Sequence, residues 1–508
     1  MLNSDPLLSI IEGRQDAAMS SIETPEWVRD AIFYQIFPDR FARSERVPKP
    51  SNLEPWTAPP TLYGFKGGDL LGIVEHLDYL QDLGVTALYL NPIFQSTANH
   101  RYHTCDYYQV DPILGGNQTL RTLLDEAHQR GMRVILDGVF NHTGRGFFQF
   151  VHIVENGAAS PYLDWFYVKK LPLQPYTTSK DDHGYEAWWN LPALPKLNTG
   201  NPAVRQFLWD VACHWIEFGA DGWRLDVPAE INDDAFWQEF RRRVKAVNPE
   251  AYIVGEIWHE AQRWLQGDQF DAVMNYHFAR SCLGFFVGDN LLQSEVARTG
   301  YHQIDTLDAK AFAAEIERLL NLYPRPVTEV QFNLLGSHDT PRFKTLARGD
   351  RSAYPLATLF QMTYPGAPSI YYGDEIGLEG GHDPGCRAGF PWDESLWDHE
   401  LRQQIQRYIA LRKAHPALRR GSLTWLFVGQ GVIAYGRRLD DDTLVVILNN
   451  NRRPVTAILP VSGYLEDGTV VQDVWKKDPF VVARGRLGGI PVPARSGRVL
   501  EVVGTGAG

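Results

Sequence analysis

Eight short runs of apolar, β-branched or aromatic residues, each followed by a loop and a longer helical pattern, predict an α/β fold, a (β/α)8 TIM barrel. Two breaks in the alternation complete the class: an inserted subdomain after strand 3 and a C-terminal antiparallel β-sandwich. The runs read as buried parallel strands because they are nearly continuous in apolar residues. In order they are AIFYQIF (31–37), ALYLNPIF (87–94), RVILDGVF (133–140), DGWRLDV (221–227), YIVGEI (252–257), VMNY (273–276), FNLLGSHD (332–339) and PSIYYGDE (368–375). The intervening segments LLGIVEHLDYLQDLG and TLRTLLDEAHQRG read as helices, each closing on a glycine suited to a left-handed cap. A doubly wound sheet would want a Gly-rich phosphate turn after its first strand, and FPDRFARS is not one.

Residues 1–27 form an N-terminal segment, 28–140 and 201–417 the two parts of the barrel, and 418–508 the sandwich. The stretch 141–200 is far longer than an ordinary βα loop and is expected to form an inserted subdomain B. After the helix LRQQIQRYIALRKAHPAL the pattern changes to short strands with turn clusters, as in GVIAYGRRLDDDTLVVILNNN and PARSGRVLEVVG.

A chain of 508 residues with 44% hydrophobic and 22% charged residues is ordinary for a soluble protein with a large core. A net charge of -12 and the lack of any basic run argue against nucleic acid as a partner. The 15 Trp, 22 Tyr and 25 Phe mostly belong to the core, but aromatic clusters in loops would also suit stacking on the apolar faces of sugars. Cys105, Cys213, Cys282 and Cys386 lie far apart, with neither metal-knuckle spacing nor the density of a disulfide scaffold, so reduced thiols in a cytoplasm are expected. The start MLNSDPLLSIIEGRQDAAMSS lacks a basic start followed by an apolar core, and no stretch approaches the ~20 apolar residues of a membrane span. No membrane partner is expected.

The stretch DGWRLDVPAEI (221–231) places Arg224 and Asp226 among Trp223, Leu225 and Val227. Burying ionised groups costs several kcal/mol each unless they are paired, so the run is either a structural ion pair or part of a site. Other strand ends carry polar residues too: Asp137, Asn141 and His142; Glu256; His338 and Asp339. That rim is where barrel enzymes hold their active sites. Strand alternation puts Arg224 and Asp226 on one side, so the guanidinium can keep the carboxylate ionised as a nucleophile. Glu256, between YIVG and Ile257–Trp258, is expected in an apolar setting that raises its pKa and suits a general acid. One carboxylate low and one high is the arrangement of glycoside hydrolysis. Asp339 could stabilise an oxocarbenium-like state. A metal-dependent hydrolase with His142 and His338 as ligands competes, though no close His pair with a carboxylate is present.

The motifs DGVFNH, GWRLDV, GEIW and LLGSHD, in that order, resemble those of the α-amylase family of glycoside hydrolases (family 13), and the likeness runs from about Trp27 to the C-terminus. Within the family the chain is most similar to the cyclomaltodextrinase, neopullulanase and maltogenic amylase group, through GGDLLGIVEHLDYLQDLG, NHRYHTCDYYQVDP, LPKLN and YYGDEIGLEGGHDPGCR. The resemblance implies retaining hydrolysis of glucosidic bonds in maltooligosaccharides, cyclodextrins or branched α-glucans, α-1,4 bonds foremost, with α-1,6 cleavage expected from this chain's departures from the group. It implies Asp226 as nucleophile, Glu256 as acid/base and Asp339 as transition-state stabiliser, with Tyr102, His142, Arg224 and His338 on the reacting sugar. Asp383 and Arg387 would contact the non-reducing side.

The departures from the group are equally specific. About thirty residues precede the first strand, where the group carries an N-terminal sandwich. VPAE replaces the group's VANE, setting a small Ala229 before Glu230 on the acceptor side. Together these point to an open acceptor side and a debranching member. PDRFARSERVPKPSN stands where the group has an Asn/Asp-rich calcium loop and is poor in carboxylates, so no metal or other cofactor is expected, with calcium left open as the alternative. Trp188 and Trp189 in YEAWW either pack the insertion against the barrel or line the cleft. The expected partner is an α-glucan or maltooligosaccharide, and a homodimer is left open. A glucanotransferase sharing the covalent intermediate and a non-catalytic carbohydrate-binding protein are the alternatives, the second disfavoured by the three retained carboxylates.

Overall fold

The computed structural model describes residues 22–179 and 182–505. Its barrel strands are β1 (Phe33–Ile36), β2 (Ala87–Leu90), β3 (Arg133–Gly138), β4 (Gly222–Leu225), β5 (Tyr252–Gly255), β6 (Ala272–Val273), β7 (Phe332–Leu334) and β8 (Ala367–Tyr371). They pair in parallel in the order β6-β5-β4-β3-β2-β1-β8-β7. The ring closes where Met274 bridges Phe332 and the Asn275 N–H donates to the Phe332 carbonyl at 2.8 Å. All eight predicted strands form, each shorter than its apolar run. Polar residues of the predicted runs fall beyond the C-terminal ends of the strands: Asp226 and Glu256 directly follow the last strand residue, and His338 and Asp339 lie four and five residues past Leu334. Register then sets the rim, with Asp137 of β3 opposite Arg224 of β4. A side chain at Gly222 would come within 2.2 Å of the Tyr252 carbonyl, so the close approach of β4 to β5 requires a residue without Cβ there.

The helical expectations hold with one change. Gly84 (φ 99°) and Gly131 (φ 73°) are left-handed, as their positions predict. The first segment, however, forms two helices, Leu70–Glu75 and Leu77–Leu83, broken at His76, whose Nδ1 binds the Gly72 carbonyl at 2.8 Å. Between β3 and the helix Pro202–Glu217 the chain forms the helix Phe148–Asn156 and then irregular backbone held by isolated bridges, His142 to Lys196 and Ala187 to Pro195 among them. Leu197 N–H donates to the Asn141 carbonyl at 3.0 Å, so this segment leaves and re-enters the barrel at one point.

The C-terminal part is β9 (Ser422–Gly429), β10 (Val432–Leu439), β11 (Asp442–Asn449), β12 (Val455–Pro460), β13 (Thr469–Asp473), β14 (Pro479–Ala483), β15 (Arg486–Val492) and β16 (Ser496–Thr505). These pair antiparallel in the order β9-β10-β11-β16-β13-β14-β15-β12 around a core that includes Val445, Ile447, Leu459, Ile490 and Leu500. Among the described residues no helix is long and apolar enough to cross a membrane.

Candidate active site

Arg224 is the hub of the rim. It is 1% exposed, and its Nη1 lies 3.0 Å from Asp137 Oδ1 and 3.0 Å from Asp226 Oδ1, while Nη2 lies 2.9 Å from Glu256 Oε2. A buried guanidinium needs this many acceptors, since its five N–H groups cannot be deprotonated away. Asp137 also accepts from Tyr89 Oη (2.7 Å) and Tyr102 Oη (2.9 Å), so it is fully engaged. Asp226 differs: Oδ1 takes Arg224, and Oδ2 accepts no hydrogen bond from the described residues. The nucleophile-like oxygen is therefore free, and its partner is held.

Glu256 is not in the apolar setting expected of it. Besides Arg224, its Oε2 accepts the Val227 N–H at 3.2 Å and its Oε1 accepts the Trp258 indole N–H at 3.2 Å. The Val227 contact comes from an unusual turn: directly after Asp226, this β-branched residue takes φ 36°, ψ 50°, a left-handed conformation that costs of order 1–3 kcal/mol and persists only where surroundings enforce it. It turns the backbone N–H toward Glu256. The expected division of one low and one high carboxylate also changes. Burial pushes Asp226 well above the usual carboxylate range despite Arg224. Asp339 is raised to about 7, first by burial and then by the like charge of Glu256. Both shifts come first from burial, and the like charge of neighbouring carboxylates adds to each.

The histidines are neutral donors. His338 Nδ1 accepts from Gln35 Nε2 at 2.8 Å, which leaves the hydrogen on Nε2, 2.6 Å from Tyr102 Oη and 3.1 Å from Asp339 Oδ2. Burial holds its pKa well below the ordinary value. His142 Nδ1 accepts from Asn141 Nδ2 at 3.2 Å, and its buried Nε2 has no partner among the described residues. Its pKa falls to about 3 through burial. On the other flank, Arg387 lies 3.2 Å from Asp339 and 2.9 Å from Asp383.

The structure thus gathers Tyr102, Arg224, Asp226, Glu256, His338, Asp339, Asp383 and Arg387 into one network. Ala229 and Glu230 lie on the short turn Pro228–Glu230 beyond Asp226. Glu230 is exposed and faces Lys196 at 3.6 Å rather than the carboxylates. Trp188 stacks on His142 with centroids 5.1 Å apart and planes at 12°. Five residues with no role assigned from sequence belong to the network: Asp137, Gln35, Tyr89, Asn91, which donates to Tyr102 Oη at 3.1 Å, and Trp258. Gln35 and Asn91 carry the signal that exposed Arg224, a polar residue inside or just past an apolar run.

The loop after β1 does not suit a calcium ion. Its buried Asp39 lies 2.7 Å from Arg40 and 3.4 Å from Arg101, and buried Asp69 lies 2.8 Å from Lys49 Nζ. The carboxylates a divalent cation would need already serve the protein's own cations. Among the described residues no group of three or more His, Cys, Asp or Glu is placed to hold a metal ion.

With this geometry, residues 35–425 match the alpha amylase catalytic domain. The chain belongs to the alpha-amylase family and is a glycoside hydrolase. It is 49% identical over 436 residues to a cyclomaltodextrinase of Bacillus sp, covering 85% of this chain and 74% of that relative. Among solved structures, Ttha1563 from Thermus thermophilus superposes with a TM-score of 0.91 at 51% identity, covering 94% of this chain and 100% of that one. The Nostoc punctiforme debranching enzyme superposes with a TM-score of 0.86 at 45% identity, covering 94% and 99%.

Proposed function

We propose that the protein is a retaining α-glucan hydrolase that cleaves α-1,4 bonds and α-1,6 branches in maltooligosaccharides, cyclodextrins or branched glucans. The observation that carries the reading is the single buried guanidinium of Arg224 bridging Asp226 and Glu256, which keeps the two carboxylates near one another, as a covalent glycosyl intermediate requires. Asp226 Oδ2 attacks the anomeric carbon while Glu256, as the general acid, protonates the departing glycosidic oxygen. Glu256 then takes a proton from water, which attacks the same carbon and frees Asp226. Asp339 faces the positive charge developing on the sugar, and the Nε2–H groups of His142 and His338, with Tyr102, hold its hydroxyls. Asp383 and Arg387 serve the glycone side, Ala229 and Glu230 the acceptor side.

The names of the relatives, a cyclomaltodextrinase and a debranching enzyme, support this substrate range. Four free cysteines suit a cytoplasmic setting. A product profile on maltoheptaose, β-cyclodextrin, pullulan and a branched dextrin tests the reading: hydrolysis of at least one is expected, and inactivity on all four overturns it. Products longer than the substrate would assign the same intermediate to transfer. Ala229→Asn should depress cleavage of the branched dextrin relative to maltoheptaose by roughly 1–3 kcal/mol of differential binding. An unchanged ratio would remove Ala229 from branch selection.

A further inference from the structure

Gln35 of β1 stands in register with Tyr89 of β2 and is 1% exposed, a buried amide between Tyr34 and Ile36. Its Nε2 lies 3.0 Å from Asn91 Oδ1 and 2.8 Å from His338 Nδ1. Partners decide where an amide or an imidazole carries its hydrogens, and here the deciding group is Asp137. Asp137 Oδ2 accepts from Tyr89 Oη at 2.7 Å and from Tyr102 Oη at 2.9 Å. Each hydroxyl has one hydrogen, and both are spent there. Asn91 faces those two oxygens, 3.3 and 3.1 Å away, and only its NH2 group can do so without setting acceptor against acceptor. Its carbonyl then points at Gln35, which must answer with its own NH2. The same NH2 meets His338 Nδ1, so that nitrogen is bare and Nε2 carries the hydrogen. Nε2 lies 2.6 Å from Tyr102 Oη and 3.1 Å from Asp339 Oδ2, both able to accept. Asn91, Asp137 and His338 are buried, so solvent does not reset the order. Reversing any one member sets two donors or two acceptors face to face, which a buried network penalises heavily.

We propose that Gln35 is a positioning residue that holds His338 as a neutral donor aimed at the carboxylate rim, with Asn91 setting the orientation of Gln35. The bare Nδ1 is where a second proton would go, and the NH2 of Gln35 occupies that direction. Asp339, 3.1 Å from the other ring nitrogen, favours an imidazolium, while burial, Arg387, Arg224 and His100 oppose it. Gln35 adds a directional block to that balance, which charges at a distance do not supply. An imidazolium would pair with Asp339 and cancel charge that a positively charged sugar would otherwise meet. That consequence for turnover rests on the hydrolase reading above; the state of the imidazole does not.

Nitrogen NMR of histidine-labelled protein, with His338→Gln to assign the resonances, reads the two ring nitrogens. Wild type near neutral pH should show a bare Nδ1 and a protonated Nε2. Gln35→Glu keeps the shape and turns the group facing Nδ1 from donor into acceptor, and an acid placed there passes its proton to the more basic imidazole. Nδ1 should then be protonated, and kcat on maltoheptaose should fall about tenfold or more with KM changed less. A hydrogen on Nδ1 in wild type, or a bare Nδ1 in Gln35→Glu, overturns the proposal, and so does kcat within twofold of an active wild type once Nδ1 is protonated. Should Gln35→Glu fail to fold, neutron diffraction from deuterated wild-type crystals decides instead: NH2 groups placed as above support the proposal, and a Gln35 carbonyl facing Asn91 or His338 overturns it. A wild type inactive on every glucan tested that still shows these imidazole states loses the hydrolase reading and keeps the hold of Gln35 on His338.

Discussion

In the loop after β1, every carboxylate oxygen of Asp39 and Asp69 meets a cation or a backbone N–H: Arg40, Arg101, Lys66 N and Gly67 N for Asp39, and Lys49, Ser44 N and Gly72 N for Asp69. At the rim of β3, β4, β5 and β7, four carboxylates share Arg224 and Arg387. Both clusters are buried and both mix signs. The difference is balance. The loop is neutralised atom by atom and behaves as structure; the rim holds surplus negative charge and an oxygen of Asp226 with no donor among the described residues. Surplus buried charge, rather than buried charge as such, marks chemistry, because unpaired groups are costly and persist where a substrate or a transition state completes them.

The comparison breaks most visibly at Asp226. Asp226→Asn removes the surplus charge with little change of shape, so kcat on maltoheptaose should fall at least about a thousandfold, roughly 4 kcal/mol of barrier, with Tm preserved. Activity within about tenfold of wild type would move the covalent role elsewhere. The loop should respond in the opposite sense. Asp39→Asn leaves Arg40 and Arg101 short of a buried counter-charge and should cost about 3 kcal/mol of stability, read as a lower Tm, while kcat of the folded enzyme changes little. A large kcat loss at unchanged Tm would erase the distinction between the clusters.

Asp339 gives the smallest and most discriminating effect. Its folded pKa of about 7 lies above its unfolded value, so the folded chain takes up a proton between the two. The stability linked to that proton is present at low pH and is lost as pH rises through about 7. Asp339→Asn does not share the loss. The Tm difference, variant minus wild type, should therefore grow more positive from about pH 5 to about pH 8, together with reduced activity. A difference independent of pH would mean that Asp339 is balanced, as Asp39 is.

How much of this was legible in the sequence depends on the kind of interaction. The eight strands, the glycine caps at Gly84 and Gly131 and the C-terminal antiparallel strands follow from apolar periodicity and turn chemistry, which are local. So does the rim, since Asp226, Glu256, His338 and Asp339 each follow an apolar run. The break at His76 did not, because a side chain taking the Gly72 carbonyl has no periodic signature. Gln35 and Asn91 were visible as polar residues in or beside apolar runs but had no partner until the barrel closed.

The sequence by itself determined the order of elements, the family resemblance and the residue types at the rim, since these depend on neighbours a few positions apart. Tertiary structure decided the electrostatics. Arg224 was expected to pair with Asp226 two residues away, and in the folded chain it also reaches Asp137 and, on the next strand, Glu256. Glu256 thereby exchanges an apolar setting for a charged one, Asp226 is raised instead of lowered, and Trp189 becomes a ring at the end of a stack that starts on His142. Burial and charge sum over everything within reach in space, and only closure of the barrel sets which groups those are.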